Sequence, residues 1–361
     1  MATLAHAQSI LFVDDSASGS KNGTSWMDAY TDLQIALDQA ATLTGPIEIR
    51  IAEGVYRPSA PEPYGDPADA RSVTFQMQNH VSLVGGFAGV GSVNPDERDF
   101  SLHRTVLSGD LNGDDGPNWS NRGDNAFHVL YASQLEETAV LDGLTIYGGS
   151  AAPASSFFQR YGGAITSSLS NFVVRDCTFT GNSAAEGGGA LYLSNSNAVF
   201  QRCHFLENKA KGGGAIHLES DKPLFIESEF RHNVADINGG AVSGLGEGEF
   251  QNCTFIENHA GGCGGAVNVD GGHLLLTNSL LIGNSATKGG ALCNESWPYD
   301  TQMVGCTLSQ NTASIGSAVY DYTYTNIDAR LSVSNSILWG NFGTPTIAIE
   351  DSHNRPRIRF S

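Results

Sequence analysis

Apolar residues in this chain fall into runs of two to four positions separated by Gly, Asn, Ser and Thr. Leu191-Tyr192-Leu193, Val199-Phe200 and Cys203-His204-Phe205 are examples from one stretch. Runs of this length, broken by turn formers, predict short strands. From Gly162 to Asn341 the runs recur in a motif of about 25 residues, present seven times. Each copy opens on Gly-Gly-Ala-aliphatic, the last in degenerate form as Gly316-Ser317-Ala318, and closes on Asn. The closing residues Asn182, Asn208, Asn233, Asn258, Asn284, Asn311 and Asn341 are 26, 25, 25, 26, 27 and 30 residues apart. A fixed period of that size marks a stacked repeat. The period and the strand lengths predict an all-β fold, a right-handed parallel β-helix (solenoid) with three short strands per coil. Seven copies would extend about 34 Å at the inter-strand spacing.

Columns within the motif predict what each position does. Phe179, Phe205, Phe230, Phe255, Leu281, Leu308 and Leu338 form an inward apolar ladder. Two residues earlier, Cys177, Cys203, Ser228, Cys253, Ser279, Cys306 and Ser336 form a ladder of small residues, its four Cys read as buried thiols. Cys263 and Cys293 lie outside that column, Cys263 in a turn and Cys293 near a strand end. The Asn column is expected at a left-handed bend, with amides bonded along the axis.

Before the repeat, residues 10–161 read as a cap and irregular coils. Ala29, Leu33, Ala36, Leu37 and Ala40 fall at helical spacing and predict a helix from Asp28 to Ala41, N-capped by Thr24 or Ser25. It should cover the open end of the solenoid, with Trp26 packed in that cap. Residues 1–9 contain Ala5-His6-Ala7 before Gln8, which reads as the end of a signal peptide. Residues 162–361 are the regular repeats. The chain stops in mid-pattern at Ser361, and the expectation is that the C-terminus is truncated or that a further domain follows.

Composition narrows the partners. The formal net charge is −19 and the pI about 4.7, which argues against nucleic acid and anionic lipid surfaces. No apolar run is long enough for a transmembrane helix.

Two sets of motifs carry a family resemblance. Gly162-Gly163-Ala164-Ile165, Gly188-Gly189-Ala190-Leu191 and Gly213-Gly214-Ala215-Ile216, with Phe179-Thr180-Gly181-Asn182, Phe205-Leu206-Glu207-Asn208, Phe230-Arg231-His232-Asn233 and Phe255-Ile256-Glu257-Asn258, resemble repeats of the chlamydial polymorphic outer membrane proteins. Val13-Asp14, Gly23-Thr24-Ser25-Trp26, Ala29-Tyr30, Leu33-Gln34, Gly54-Val55-Tyr56 and Gly85-Gly86-Phe87 are similar to secreted bacterial β-helix proteins with a pectin-lyase-like fold. The resemblance implies a place at the bacterial outer-membrane surface or outside the cell, and the chain is expected to be a monomer. It implies a polysaccharide, a cell-surface glycan or a protein as partner. Autotransporter members of the first family carry a C-terminal membrane barrel that has no counterpart in these residues. The function expected is non-catalytic adhesion or glycan binding. The alternative is a polysaccharide lyase or glycoside hydrolase, because the fold also hosts enzymes that use clustered carboxylates, often with Ca²⁺ and a Lys or Arg base.

Candidate chemistry follows from these expectations. Counting the Ala of each Gly-Gly-Ala as one, the third residues (Thr166, Tyr192, His217, Ser243, Asn268, Cys293, Tyr320) and the fifth (Ser168, Ser194, Glu219, Leu245, Asp270, Glu295, Tyr322) should face solvent. Asp270 and Glu295 would then sit about 5 Å apart on adjacent coils, a spacing suited to a retaining glycosidase pair or a shared cation, with Glu219 and His217 on the same face. Neither column contains a Lys or Arg. Trp297, Tyr299, Tyr320, Tyr322 and Tyr324 are candidate glycan contacts on loops. Asp110, Asn112, Asp114 and Asp115, with Asp124, resemble the start of a Ca²⁺ loop, although the Gly falls one place late and Asn121 stands where Glu is needed.

Overall fold

The computed structural model describes residues 8–152, 158–220, 222–295, 301–323 and 331–351. Among these residues the strands form four sheets of ten, eleven, ten and seven strands, and every strand pairing is parallel. One coil reads Ile165–Ser168 (sheet 1), Val173–Arg175 (sheet 2), Thr178–Thr180 (sheet 3) and Ser183–Ala184 (sheet 4). The chain is a right-handed parallel β-helix, as expected, and right-handedness is the rule for parallel crossovers. It has a fourth strand per coil that the apolar pattern did not predict. Those strands run through Ser183-Ala184, Lys209-Ala210 and their equivalents, where only the Ala turns inward. A single inward Ala leaves almost no apolar signal.

The interior is built from ladders. Phe179, Phe205, Phe230 and Phe255 stack with centroids 4.8, 4.8 and 4.6 Å apart. A second ladder, Phe200, Phe225 and Phe250, stacks at 4.8 Å per step and meets the first edge-on. Parallel strands set the ring spacing, and the T-shaped contact between the ladders suits the ring quadrupoles. Cys177, Cys203, Cys253 and Cys306 are free, buried thiols. Burial pushes the thiols of Cys203 and Cys253 up to about 12, so they are inert at neutral pH.

The Asn column bonds along the axis as expected. Six side-chain amide bonds of 2.9–3.1 Å run from Asn182 to Asn341. The left-handed residue, however, is the one before each Asn: Gly181, Glu207, His232, Glu257, Gly283, Gln310 and Gly340 have φ between 53° and 66°. That bend turns the Asn side chain inward, where its amide satisfies carbonyls of the neighbouring coil. The Gly pairs are required by close approach: a Cβ on Gly240 would lie 2.0 Å from the carbonyl oxygen of Gly265.

The capping helix is shorter than its periodicity predicts. It spans Leu33–Ala40, N-capped by Asp32, whose carboxylate accepts from the Gln34 N–H at 2.8 Å. Thr24 and Ser25 are not its caps. The preceding residues pair with the first strand instead, through Phe12 N–H to Gly23 O (3.0 Å) and Tyr30 N–H to Phe12 O (2.9 Å). Leu33, Ala36, Leu37 and Ala40 join the main core and close its N-terminal end. Trp26 packs elsewhere, in a separate cluster against Phe12 and Phe87 at 4.9 and 5.4 Å. Of the 1–9 signal-peptide reading, residues 1–7 lie outside the described residues, and Ser9 already opens the first strand, Ser9–Val13.

Candidate functional site

The outer face of sheet 1 differs from its expected solvent-facing pattern. Tyr192, Ser243, Asn268, Cys293 and Tyr320 are at most 3% exposed, and Thr166 is also buried. The cover comes from the residue before each Gly pair. Tyr161, Gly187, Gly212, Asn238, Cys263 and Lys288 form a row of parallel bridges beside the sheet. From this row Tyr161, Cys263 and Lys288 reach the column of the next coil. The Tyr161 and Tyr192 rings lie 4.8 Å apart, and Lys288 sits 4.5 Å over the Tyr320 ring. Cys263 forms a disulfide with Cys293, with a Cα–Cα distance of 5.6 Å. The register carries this pairing, since both residues flank a Gly pair on adjacent coils. Counting columns only after the Gly pairs hides it.

The four proposed catalytic residues separate into two groups. His217 stacks on Tyr192 at 5.9 Å and lies 5.5 Å from Tyr161. Its Nδ1 is 3.2 Å from Ser243 Oγ, and burial lowers its pKa against the pull of Glu219. Glu219 accepts a hydrogen bond from the Tyr192 hydroxyl. Asp270 and Glu295 form the second group, two coils on from Glu219 and therefore roughly 10 Å away, with the exposed Leu245 between. Desolvation raises both carboxyls. Asn268, donating to Asp270 at 2.6 Å, opposes its shift, while the Asp270 charge adds to that of Glu295. A basic partner is present after all: Lys288 partly offsets the rise at Glu295. That lysine is committed, donating to the Tyr320 hydroxyl at 3.0 Å, which in turn donates to Glu350 at 2.6 Å.

Of the proposed aromatic contacts, Tyr320 is buried and Tyr322 half-buried. Trp297, Tyr299 and Tyr324 lie outside the described residues.

The excursion at 109–125 leaves sheet 3 after the strand Thr105–Ser108 and folds back on the coils that follow. Asp110, Asp114 and Asp124 bring carboxylate oxygens within 4.8 Å of one another. The other two proposed ligands take different roles. Asn112 contributes its backbone N–H to Asp124 at 3.0 Å. Asp115 turns away to meet Asn125 at 3.1 Å and Arg122 at 3.4 Å. Asp110 accepts three backbone N–H bonds, from Gly113, Asp114 and Asp115, at 2.7–3.1 Å. The loop therefore has an internal brace, and three carboxylates whose oxygen chemistry and spacing fit Ca²⁺.

The braced loop lays Trp119 and Arg122 against the corner between sheets 3 and 4. Arg122 donates to the Gly181 carbonyl and sits 4.5 Å over the Trp119 ring and 5.6 Å over the Tyr147 ring. Beneath them opens a cleft of about 640 Å³, lined also by Glu207, Lys209 and His232. A second pocket of about 430 Å³ adjoins it, sharing Asn118, Trp119, Arg122 and Lys209. Trp119 is 38% exposed. Asn118, Trp119 and Asn121 have φ of 55°, 63° and 62°. For a bulky aromatic this is a costly conformation, about 1–3 kcal/mol, of the kind that clusters at binding sites. Reading the loop for acidic ligands alone overlooked this cleft. Beyond the loop its lining comes from four successive coils, one to three residues from each, and no local motif announces it.

Comparison with known proteins agrees with the fold. The family model described as the right handed beta helix region matches residues 118–263. The crystal structure of pectate lyase Pel9A is similar with a TM-score of 0.52 at 13% identity, covering 98% of this chain and 82% of that one. A rhamnogalacturonan lyase gives 0.48 at 14%, covering 97% and 89%. PfbA, a surface adhesin of Streptococcus pneumoniae, gives 0.30 at 9%, covering 91% and 92%. At such identities the likeness to Pel9A is one of fold alone. No curated protein sequence matches the chain.

Proposed function

We propose that the chain is an exported polysaccharide-binding protein of the bacterial surface or medium that holds its glycan without cleaving it. The observation that carries this reading is the cleft under Trp119. It combines an indole and a phenol ring with hydrogen-bonding groups on a rigid stack, at a volume typical of ligand sites. The Cys263–Cys293 disulfide supports export, because disulfides persist in oxidising compartments. Cleavage on sheet 1 is the weaker reading. The imidazole of His217 is stacked on Tyr192 and set against Tyr161, and Lys288, the cation near Glu295 among the described residues, is engaged by Tyr320.

The test pairs a glycan array with a product assay on the glycans that bind. Saturable binding with no released oligosaccharide or unsaturated product is expected. Turnover abolished by Glu295→Gln would replace this reading with the enzymatic one.

A further inference from the structure

From the charges around the cleft we infer that its ligand is an uncharged oligosaccharide, longer than one sugar and seated across both pockets, and not a polyuronate. This rests on the glycan-binding reading above and deepens it.

A polyuronate needs cations free to meet its carboxylates. Each basic side chain lining the two pockets already faces a carboxylate of the protein. Arg122 lies 3.4 Å from Asp115, Lys209 3.6 Å from Asp236, and His232 3.4 Å from Glu257. Arg122 is further engaged by the Gly181 carbonyl and by the Tyr147 hydroxyl at 3.4 Å. Glu207 adds one more acid to the wall. Beyond the cleft the whole chain carries a net charge of −19, which repels a polyanion before contact. A neutral sugar meets none of these penalties. Its C–H face packs on the Trp119 indole, and its hydroxyls bond to carboxylates and cations without displacing any ion pair.

The two pockets meet at Trp119, and each lies in the size range that encloses a drug-sized ligand. An oligosaccharide can therefore straddle the indole with sugars on either side.

The experiment titrates the full chain with xylohexaose, cellohexaose and galactohexaose, and with a hexamer of galacturonic acid, at 10 and 150 mM salt, by calorimetry. At least one neutral hexamer is expected to bind at least tenfold more tightly than the acid, with affinity unchanged by salt. Trp119→Ala should lower that affinity tenfold or more with the thermal melt unchanged. Asp236→Asn, which frees Lys209, should raise affinity for the acid hexamer. Tighter binding of the acid hexamer, weakened by salt and by Trp119→Ala, overturns the neutral ligand while glycan binding at the cleft stands. Neutral binding indifferent to Trp119→Ala overturns the site. Absence of binding by all four, with an empty glycan array, overturns the glycan reading itself.

Discussion

The side-chain amide of Asn208 donates to Oδ1 of Asn233 at 3.0 Å, one coil away, with both residues fully buried. The same Oδ1 accepts the Asn208 backbone N–H, and the Asn233 amide donates to the Phe205 carbonyl at 2.8 Å and to Asn258 at 2.9 Å. Asn233→Ala orphans several of these groups together. At about 1–3 kcal/mol per buried orphan, the variant should lose about 2–5 kcal/mol in urea unfolding. Asn233→Asp should not rescue it, since a carboxylate cannot donate to Phe205. A loss below 1 kcal/mol would show that water or relaxation replaces the ladder.

The disulfide makes a countable prediction. Iodoacetamide in denaturant should add to four cysteines of the unreduced chain and to six after reduction. Cys263→Ser with Cys293→Ser should lower stability by about 2–4 kcal/mol, leaving Phe packing and circular dichroism unchanged. Six adducts without reductant, on protein recovered from an oxidising medium, would remove the support for export.

Asp270 and Glu295 predict a pH dependence of defined sign. Both carboxyls are raised in the folded chain. The folded state thus holds protons more readily than the unfolded one, and stability falls as pH rises through the raised values. Asp270→Asn and Glu295→Gln should therefore raise the melting temperature at pH 7. The gain should vanish by about pH 4, near the ordinary carboxyl range. Melting curves of the two variants at pH 4, 5, 6 and 7 check this; a loss at pH 7 contradicts the assigned sign.

The loop carrying Trp119 depends on Asp110. Asp110→Ala removes the acceptor of three backbone N–H groups and should loosen 109–125. Expected are a shift in tryptophan fluorescence, faster proteolysis in the loop and weaker glycan binding. Asp114→Ala keeps those bonds and isolates the ion question. If the three carboxylates take Ca²⁺, the ion at ten times its Kd stabilises the wild type by about 1.4 kcal/mol and leaves Asp114→Ala unmoved. Identical melting in Ca²⁺ and in EDTA leaves the N–H brace as the only support.

The fold was largely legible because each structural column repeats one physical demand. The Gly pairs, the Phe ladder and the buried thiols needed only the period to be recognised. The helix boundary was less so, because backbone pairing of Gly23 and Tyr30 with Phe12 overrides a helical spacing that begins five residues too early. The nearer outward column misled for a related reason: alternation says which side chains leave the core, not what lies over them. Tyr161, Cys263 and Lys288 come from the row of bridges beside the sheet and lie over Tyr192, Cys293 and Tyr320. The Trp119 cleft was illegible, since Tyr147 sits in an irregular coil and Glu207 and His232 are ordinary repeat residues until the loop at 109–125 closes over them.

Tyr147, Gly181, Glu207 and His232 stand on four successive coils. Repeat stacks separate most easily between neighbouring coils, because each coil touches only the next. A saccharide seated in the cleft would run along three of those seams and splint them. Pulled from its two ends, the rod would then yield elsewhere first, and a chain gripping a wall polymer would be mechanically toughest at the place where it holds on.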